Sequence, residues 1–212
     1  MLRRFVPLAL LYLAVSPAAA QPPAAQVPPA VAADAAKPAT VRVIFQTGEG
    51  AIVLELEKER APITTANFLR YVDQKRFDGI SFYRAMKLGD GFGLIQAGIR
   101  ADMKKLLPPI KHEPTTQTGL SHVDGAISMA RDAPGTARAD FFISVGNLSS
   151  LDADPSKPGD NQGFAVFGRV VEGMDVVRRI MDAPTSEAAG EGLMKGQMIA
   201  APVKVVAARR QP

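Results

Sequence analysis

Two runs of alternating apolar and polar residues open the part of the chain that is rich in large apolar side chains. Residues 41–46 read VRVIFQ, residues 51–57 read AIVLELE, and Thr-Gly-Glu-Gly lies between them. Alternation with a period of two is typical of a strand with one face on a core, and a short loop containing glycine is typical of a hairpin. The pattern therefore predicts an antiparallel hairpin and the start of a folded domain at about residue 40.

Two later segments have the spacing of helices instead. Residues 63–72, ITTANFLRYV, repeat apolar positions every third residue behind Pro62, and Asp78-Gly79 follows the pattern. A proline near the first turn and a glycine beyond the end are typical helix boundaries. Residues 174–183, MDVVRRIMDA, place Val177, Ile180 and Met181 on one face. The spacing predicts one amphipathic helix in each segment.

The remaining apolar runs are short and strand-like. They cover residues 80–86, 94–97, 126–130, 141–145, 164–171 and 203–207, mostly separated by glycine and proline. Many short strands, two distant helices and no regular strand–helix alternation favour an antiparallel sheet closed into a barrel. The predicted fold is mainly β, a β-barrel with two covering helices.

The first 40 residues have a different composition. Residues 1–20, MLRRFVPLALLYLAVSPAAA, combine a basic start, an apolar run and an Ala-Ala-Ala end, which is the pattern of a secretory signal peptide. The apolar run is shorter than the ~20 residues that span a bilayer. Residues 21–40 are mostly Pro and Ala and predict a disordered linker. We therefore expect export to the periplasm, no membrane attachment after signal cleavage, a domain over residues 41–208 and a tail over 209–212.

Charge and residue counts exclude several function classes. Lys and Arg exceed Asp and Glu by 25 to 21, but four of the arginines lie near the two ends, so the middle of the chain is near neutral. A nearly neutral domain without a basic stripe argues against a nucleic-acid partner. The chain has no Cys and two His, without a clustered carboxylate pattern, so we do not expect a metal site.

Seven sequence blocks, in order, resemble the cyclophilin family of peptidyl-prolyl cis-trans isomerases over about residues 41–207. The blocks are TGEGAIVLELEKERAPITTANFL from residue 47, FYR from 82, IQAG from 95, GAISMA from 125, ADFFI from 139, LD from 151 and FAVFGRVVEGMDVV from 164. The resemblance implies a closed eight-stranded antiparallel barrel capped by two helices. It also implies catalysis of rotation about the bond preceding proline, without a cofactor, and proline-containing segments of unfolded or exported proteins as partners. We expect a monomer.

The resemblance assigns the catalytic arginine of the family to Arg84. Rotation about a peptide bond loses resonance at a barrier of about 18–20 kcal/mol, and a fixed cationic donor can stabilise the atom that gains electron density. A guanidinium stays protonated and carries several donors in a rigid fork. The alternative for Arg84 is an ordinary surface arginine on a strand.

Four further site residues follow from the same blocks. Gln96 is expected to bond the substrate backbone and to brace the arginine, and Phe142 is expected to line the proline pocket, with its neighbour Phe141 on the opposite face of the strand. By resemblance, Ala130 presents its backbone to the substrate and Leu151 forms an apolar wall of the pocket.

The chain departs from the family pattern between its arginine and its glutamine, where the family commonly has Ile-Ile-Pro-Gly-Phe-Met. The sequence here is AMKLGDGFGL, which we interpret as a longer, glycine-rich loop, and either Phe92 or Leu94 could replace the missing pocket residues.

Four other family positions also differ, and the first of them, a tryptophan position, falls on Ser150. The histidine position falls on Phe164, the asparagine position on Arg131 and the glutamine position on Asp140. We expect Asp140 to pair with Arg84 or Arg131. These departures leave an alternative function, a catalytically weak cyclophilin-like module that binds proline peptides or acts as a chaperone.

Overall fold

The computed structural model describes residues 38–100 and 102–211. The predicted signal peptide and residues 21–37 of the predicted linker lie outside the described residues. The first strand begins at Thr40, next to the predicted start of the domain at residue 41.

Eight strands form a closed antiparallel barrel. The nine strands described are β1 Thr40–Thr47, β2 Gly50–Glu57, β3 Ser81–Gly89, β4 Phe92–Gly98, β5 Ala126–Met129, β6 Phe141–Val145, β7 Ala165–Glu172, β8 Thr185–Ser186 and β9 Met198–Arg210. Their order is β1-β2-β7-β5-β6-β4-β3-β9, and β9 pairs again with β1 to close the barrel, while the two-residue β8 adds to β9 outside this circuit. The predicted antiparallel β-barrel is confirmed.

Three α-helices accompany the barrel in the described part of the chain. They are α1 Pro62–Asp73, α2 Thr115–Thr118 and α3 Met174–Asp182. The helical spacing correctly predicted α1 and α3. The single turn of α2 was missed because four residues are too few to show a period of 3.6. Short 3-10 turns lie at Met103–Lys105, Ser149–Leu151 and Gly192–Met194.

Aromatic rings from distant parts of the chain meet inside the barrel. Phe68 of α1 lies with its ring centroid 5.9 Å from Phe45 of β1, 5.3 Å from Phe141 of β6 and 5.0 Å from Phe167 of β7. All four side chains are almost fully buried. Each buried phenylalanine contributes several kcal/mol of packing and transfer free energy, on the order of 3–5 kcal/mol by truncation to alanine. Helix α1 is thereby anchored on three strands.

The segment between Met86 and Leu94 is a hairpin, so the prediction of a long loop there was wrong. Strands β3 and β4 stay paired through Met86 and Leu94 as far as Gly89 and Phe92. Gly93 makes this approach possible, because a side chain there would begin 2.0 Å from the Met86 carbonyl oxygen, at a φ of +152°. The glycines that indicated a loop instead permit a tight turn and a bulge.

The predicted tail is also corrected, because β9 extends to Arg210. Arg210 pairs with Val43 of β1, and its guanidinium lies 2.6 Å from an Asp73 carboxylate oxygen at the end of α1. Arg209 likewise lies 2.7 Å from Asp78. The basic residues that resembled a solvated tail are paired with acidic residues on the barrel.

Candidate active site

The candidate site is built on one row of residues that crosses four neighbouring strands. Arg84 of β3 is the cross-strand partner of Gln96 of β4, Gln96 is the partner of Phe142 of β6, and Phe142 is the partner of Ser128 of β5. Adjacent strands lie about 4.8 Å apart, so the row brings residues from distant parts of the sequence side by side.

A β-bulge at Tyr83 places two functional side chains of β3 beside the same partner. The register passes from the Phe82 and Ala97 pair directly to the Arg84 and Gln96 pair, so Tyr83 is the extra residue on its strand. A bulge changes the direction of the side chains next to it. As a result Tyr83 and Arg84 both reach Gln96, while Phe82 and Ala97 stay in the barrel core.

A cavity of about 550 Å³ opens over this row. Its apolar side includes Met86, Leu94, Phe142, Leu151 and Phe164, and the rings of Phe142 and Phe164 meet edge to face with centroids 5.5 Å apart. Leu94 and Phe142 belong to a hydrophobic cluster separate from the barrel core. The cavity can therefore hold an apolar ring beside a charged side chain.

Arg84 is held in place along one edge of this cavity. Its Nε donates to Gln197 Oε1 at 2.8 Å and its Nη1 donates to Gln96 Oε1 at 2.7 Å, whereas its Nη2 lies 3.7 Å from the Met86 sulfur. Burial lowers the pKa of Arg84, against a smaller opposing effect of Tyr83. A guanidinium remains protonated under such conditions. Two amide oxygens thus fix the plane of the cation, while Nη2 faces a weaker acceptor.

Asp140 has a different partner from either arginine that the sequence suggested. One carboxylate oxygen accepts a hydrogen bond from the Tyr83 hydroxyl at 2.7 Å. Burial raises the pKa of Asp140, and the hydrogen bonds from Tyr83 and the Ile99 amide oppose that shift. The expected pairing of Asp140 with Arg84 or Arg131 was wrong because the bulge at Tyr83 brings its hydroxyl to the carboxylate instead.

Arg131 is fixed on the opposite rim of the cavity. Its guanidinium lies 2.9 Å from an Asp160 oxygen, its Nε donates to the Gly163 carbonyl at 2.9 Å, and its Cζ lies 5.2 Å from the Phe164 ring centroid. The hydrogen bonds from Arg131 lower the pKa of Asp160 to about 2. Arg131 therefore braces the loop that carries Phe164.

The structure brings most of the predicted site residues to one cavity. Its lining includes Arg84, Leu94, Gln96, Ala130, Arg131, Asp140, Phe142, Leu151 and Phe164. Phe92 does not line this cavity: its ring packs on the outer edge of the Leu94 cluster, where a side chain at Gly146 would begin 2.5 Å away. Of the two candidates that the sequence left open, Leu94 is the one that faces the cavity.

Sequence reasoning missed several residues of the site, among them Met86, Tyr83 and Gln197. Met86 lines the cavity beside Leu94, Tyr83 bonds Gln96, and Gln197 bonds Arg84 across a separation of 113 residues. Tyr83 lies directly before Arg84 in the FYR block, so its position was a signal that could have been followed. Nothing in the local sequence around Gln197 indicates its role.

A buried histidine supports the apolar side of the cavity from behind. The His122 ring stacks on Phe142 with centroids 5.6 Å apart, its Nδ1 lies 2.5 Å from Asp152 Oδ1 and its Nε2 lies 3.0 Å from Ser128 Oγ. Burial lowers the pKa of His122, and the hydrogen bond with Asp152 partly offsets that shift. The neutral tautomer with a proton on Nδ1 satisfies both partners, because Asp152 accepts and Ser128 can donate.

Neither a metal cluster nor a membrane-spanning helix is found in the described residues. They contain no group of three or more His, Cys, Asp or Glu side chains arranged to hold a metal ion. Within the same residues, none of the helices has the length and apolar character needed to cross a membrane.

Comparison with known proteins identifies the family. Residues 42–208 match the family model described as cyclophilin type peptidyl-prolyl cis-trans isomerase/CLD. A peptidyl-prolyl cis-trans isomerase of Acinetobacter baylyi is 36% identical over 151 residues, which cover 70% of this chain and 76% of the relative. The peptidyl-prolyl cis-trans isomerase cyp18 of Streptomyces antibioticus is 39% identical over 151 residues, 70% of this chain and 87% of the relative.

A solved structure supports the fold independently. The cyclophilin type peptidyl-prolyl cis-trans isomerase of Cryptosporidium parvum, crystallised in the presence of the dipeptide Ala-Pro, matches with a TM-score of 0.63 at 19% identity. The match covers 81% of this chain and 99% of that chain. The chain belongs to the family of cyclophilin-type peptidyl-prolyl cis-trans isomerases.

Proposed function

We propose that this protein accelerates rotation about X-Pro bonds, with Arg84 as the catalytic donor. The observation that carries the proposal is the guanidinium of Arg84, fixed by Gln96 and Gln197 at the edge of a cavity with an apolar side. The related Cryptosporidium parvum protein was crystallised in the presence of the dipeptide Ala-Pro, which supports proline-containing peptides as the substrate class.

The reaction needs a site that favours the twisted peptide bond over the planar one. Twisting removes resonance and leaves the proline nitrogen with more electron density, at a barrier of about 18–20 kcal/mol. In our proposal the proline ring lies against Phe142, Leu94 and Leu151 while the preceding carbonyl turns. Arg84 Nη2, whose contact in the cavity is a weakly accepting sulfur, donates to the atom that gains electron density. No bond is formed or broken, so neither a nucleophile nor a metal is needed.

A protease-coupled assay on peptides of the Ala-Ala-Pro-Phe type tests this proposal. Arg84→Ala should lower kcat/KM about 10²–10³-fold, the range found when one preorganised donor to a developing charge is removed. Arg178→Ala is a suitable control, because Arg178 lies on α3 and pairs with Asp124 away from the cavity. This control should keep the activity of the unsubstituted protein.

The alternative of a binding or chaperone module gives a different result in the same assay. A protein that binds proline peptides but does not accelerate isomerisation above the thermal rate would overturn the catalytic proposal. Equal activity of Arg84→Ala and the unsubstituted protein would remove Arg84 from the mechanism and leave the family assignment unchanged.

We also propose that the protein acts on exported proteins in the periplasm, as a monomer released from the membrane after its signal peptide is removed. Residues 1–20 support this, because they combine a basic start, an apolar run and a small-residue end. Mass spectrometry of protein recovered from the periplasmic fraction should find a chain that begins at Gln21, and light scattering should give the mass of one copy. A full-length chain confined to the cytoplasm would contradict the proposal.

A further inference from the structure

Arg84 is connected to a buried carboxylate by a continuous line of hydrogen bonds. Arg84 Nη1 donates to Gln96 Oε1 at 2.7 Å, Gln96 Nε2 donates to the Tyr83 hydroxyl oxygen at 2.7 Å, and that hydroxyl lies 2.7 Å from Asp140 Oδ2. We propose that Asp140 and Tyr83 are positioning residues that hold Arg84 through Gln96. This inference rests on the proposed catalytic role of Arg84.

The chemistry at the two ends of the line determines the direction of every bond in it. A guanidinium can only donate, so the Gln96 atom facing Arg84 must be the amide oxygen. The amide nitrogen then faces Tyr83 and donates to its hydroxyl oxygen. An ionised carboxylate can only accept, so the Tyr83 hydroxyl proton points to Asp140. Asp140 therefore determines which way the Gln96 amide faces.

Tyr83 and Asp140 have little freedom to move away from this arrangement. The Tyr83 side chain is 6% exposed and the Gln96 side chain is 4% exposed. A side chain at Gly98 would begin 1.8 Å from Asp140 Oδ1, so the absence of a side chain there is what admits the carboxylate. Arg100 lies over the Tyr83 ring, 4.6 Å from its centroid, and closes the network from outside.

Through this line Asp140 helps to hold Arg84 in place without binding the guanidinium directly. A carboxylate bound directly to the guanidinium would use the donors that a substrate needs and would offset part of its charge. Here the carboxylate acts through two intervening side chains and three hydrogen bonds, which polarise one another in the same direction. Arg84 keeps Nη2 toward the cavity while Nη1 is held.

Truncating the hydroxyl of Tyr83 tests the proposal. Tyr83→Phe keeps the ring but removes the two hydrogen bonds of the hydroxyl, with Gln96 and with Asp140. We expect kcat to fall about tenfold, as for a loosened charged donor. KM should stay within about twofold, because the apolar side of the cavity is unchanged. Tyr71→Phe is a matched control, because Tyr71 is also buried and its hydroxyl accepts from the Leu107 amide in the barrel core. The control should keep the kcat of the unsubstituted protein.

The side-chain amide of Gln96 gives a second readout that a merely structural role would not change. Its two amide protons should shift in the NMR spectrum of Tyr83→Phe and stay in place in Tyr71→Phe. A correctly folded Tyr83→Phe with unchanged kcat and unchanged Gln96 resonances would overturn the proposal. If Tyr83→Phe fails to fold, Asp140→Asn provides the same test.

Asp140→Asn should also change the response of kcat to acid. Protonated Asp140 becomes a donor and no longer orients the Tyr83 hydroxyl, so kcat of the unsubstituted protein should fall as pH is lowered toward the pKa of Asp140. The charged and titratable groups that act on Asp140 are Tyr83 on β3, Arg100 after β4 and Asp132 after β5. In Asp140→Asn this component of the acid limb should disappear. An identical pH profile in both proteins would contradict the proposal.

The catalytic role of Arg84 and the positioning role of Tyr83 and Asp140 can be rejected separately. Loss of activity in Arg84→Ala together with full activity in both Tyr83→Phe and Asp140→Asn would reject the positioning role and keep the catalytic role of Arg84. Full activity in Arg84→Ala would reject the catalytic role itself.

Discussion

Two hydrophobic clusters lie on opposite faces of the same strand, and they have different partners. Phe141 of β6 is fully buried in the inner cluster, where its ring lies 5.3–6.1 Å from those of Phe45, Phe68, Phe77 and Phe82. Phe142, the next residue, belongs to the outer cluster with Leu94 and Leu148 and faces the cavity.

Two consecutive residues therefore have different roles: Phe141 contributes to the stability of the fold, and Phe142 borders the cavity. The inner cluster is closed on all sides by other rings and aliphatic side chains, so each member is held by many contacts. The outer cluster has one side open to the cavity and is backed by polar groups, His122 among them. An open apolar surface beside a fixed cation is suited to receive a ligand, whereas a closed one is suited to stabilise the fold.

The largest expected effect comes from truncating the two phenylalanines in turn. Phe141→Ala should lower the free energy of unfolding by about 3–5 kcal/mol, because a closed aromatic core cannot fill the space. Phe142→Ala should cost less stability, since water and substrate can occupy the space, but should raise KM for proline peptides. Denaturant unfolding and steady-state kinetics measure the two quantities. Equal losses of stability in both variants would remove the distinction between the clusters.

A smaller effect should follow from the titration of His122, which backs the outer cluster. Burial holds the pKa of His122 below its usual range, so the folded state favours the neutral ring. The stability that this provides is fully present above the unfolded pKa of about 6.5 and is lost as pH falls from there through the lower folded pKa.

His122→Asn isolates this titration, because asparagine can donate and accept hydrogen bonds but does not titrate. Between about pH 7.5 and 5, a window around the unfolded pKa, the unsubstituted protein should lose more unfolding free energy than His122→Asn. Denaturant unfolding at each pH measures the difference. Parallel stability curves for the two proteins would show that His122 does not carry the acid sensitivity.

The two faces of β6 also show how much of the molecule could be predicted from sequence. Alternation within a strand required Phe141 and Phe142 to point in opposite directions. It could not tell which of them faces the core, because that depends on strands paired with β6 from elsewhere in the chain. Alternation and helical spacing likewise predicted the barrel strands, α1 and α3, since these patterns are local.

The site was less predictable than the fold, because it depends more on contacts between residues that are distant in the sequence. Arg84 and Gln96 were recognisable from motifs, but the partner of Asp140 was not, because Tyr83 lies 57 residues earlier and reaches it through a bulge. The hairpin between Met86 and Leu94 was mistaken for a loop because glycine indicates a turn and a bulge equally well. Residues brought in by tertiary contacts, such as Gln197, carry no local pattern.

The smallest expected effect concerns the exposed apolar rim of the outer cluster's cavity. Leu193 is 91% exposed, and it lines the cavity together with Met103, which is 66% exposed, and Met194. Leu193→Ser should leave the unfolding free energy within about 0.5 kcal/mol, as is usual for an exposed position. It should raise KM about twofold to fivefold for peptides with an apolar residue next to proline, because less apolar surface is removed from water on binding.

A second exposed apolar residue provides the control for this rim. Val206 on β9 is 65% exposed and does not line the cavity, so Val206→Ser should leave KM unchanged. KM is measured for peptides with leucine or serine next to proline. The comparison distinguishes a direct contact between the rim and the peptide from a general effect of a less apolar protein surface. The rise in KM should appear for the leucine peptide and be absent for the serine peptide. A similar rise for both peptides, or in both variants, would mean that Leu193 makes no specific contact with the apolar residue next to proline.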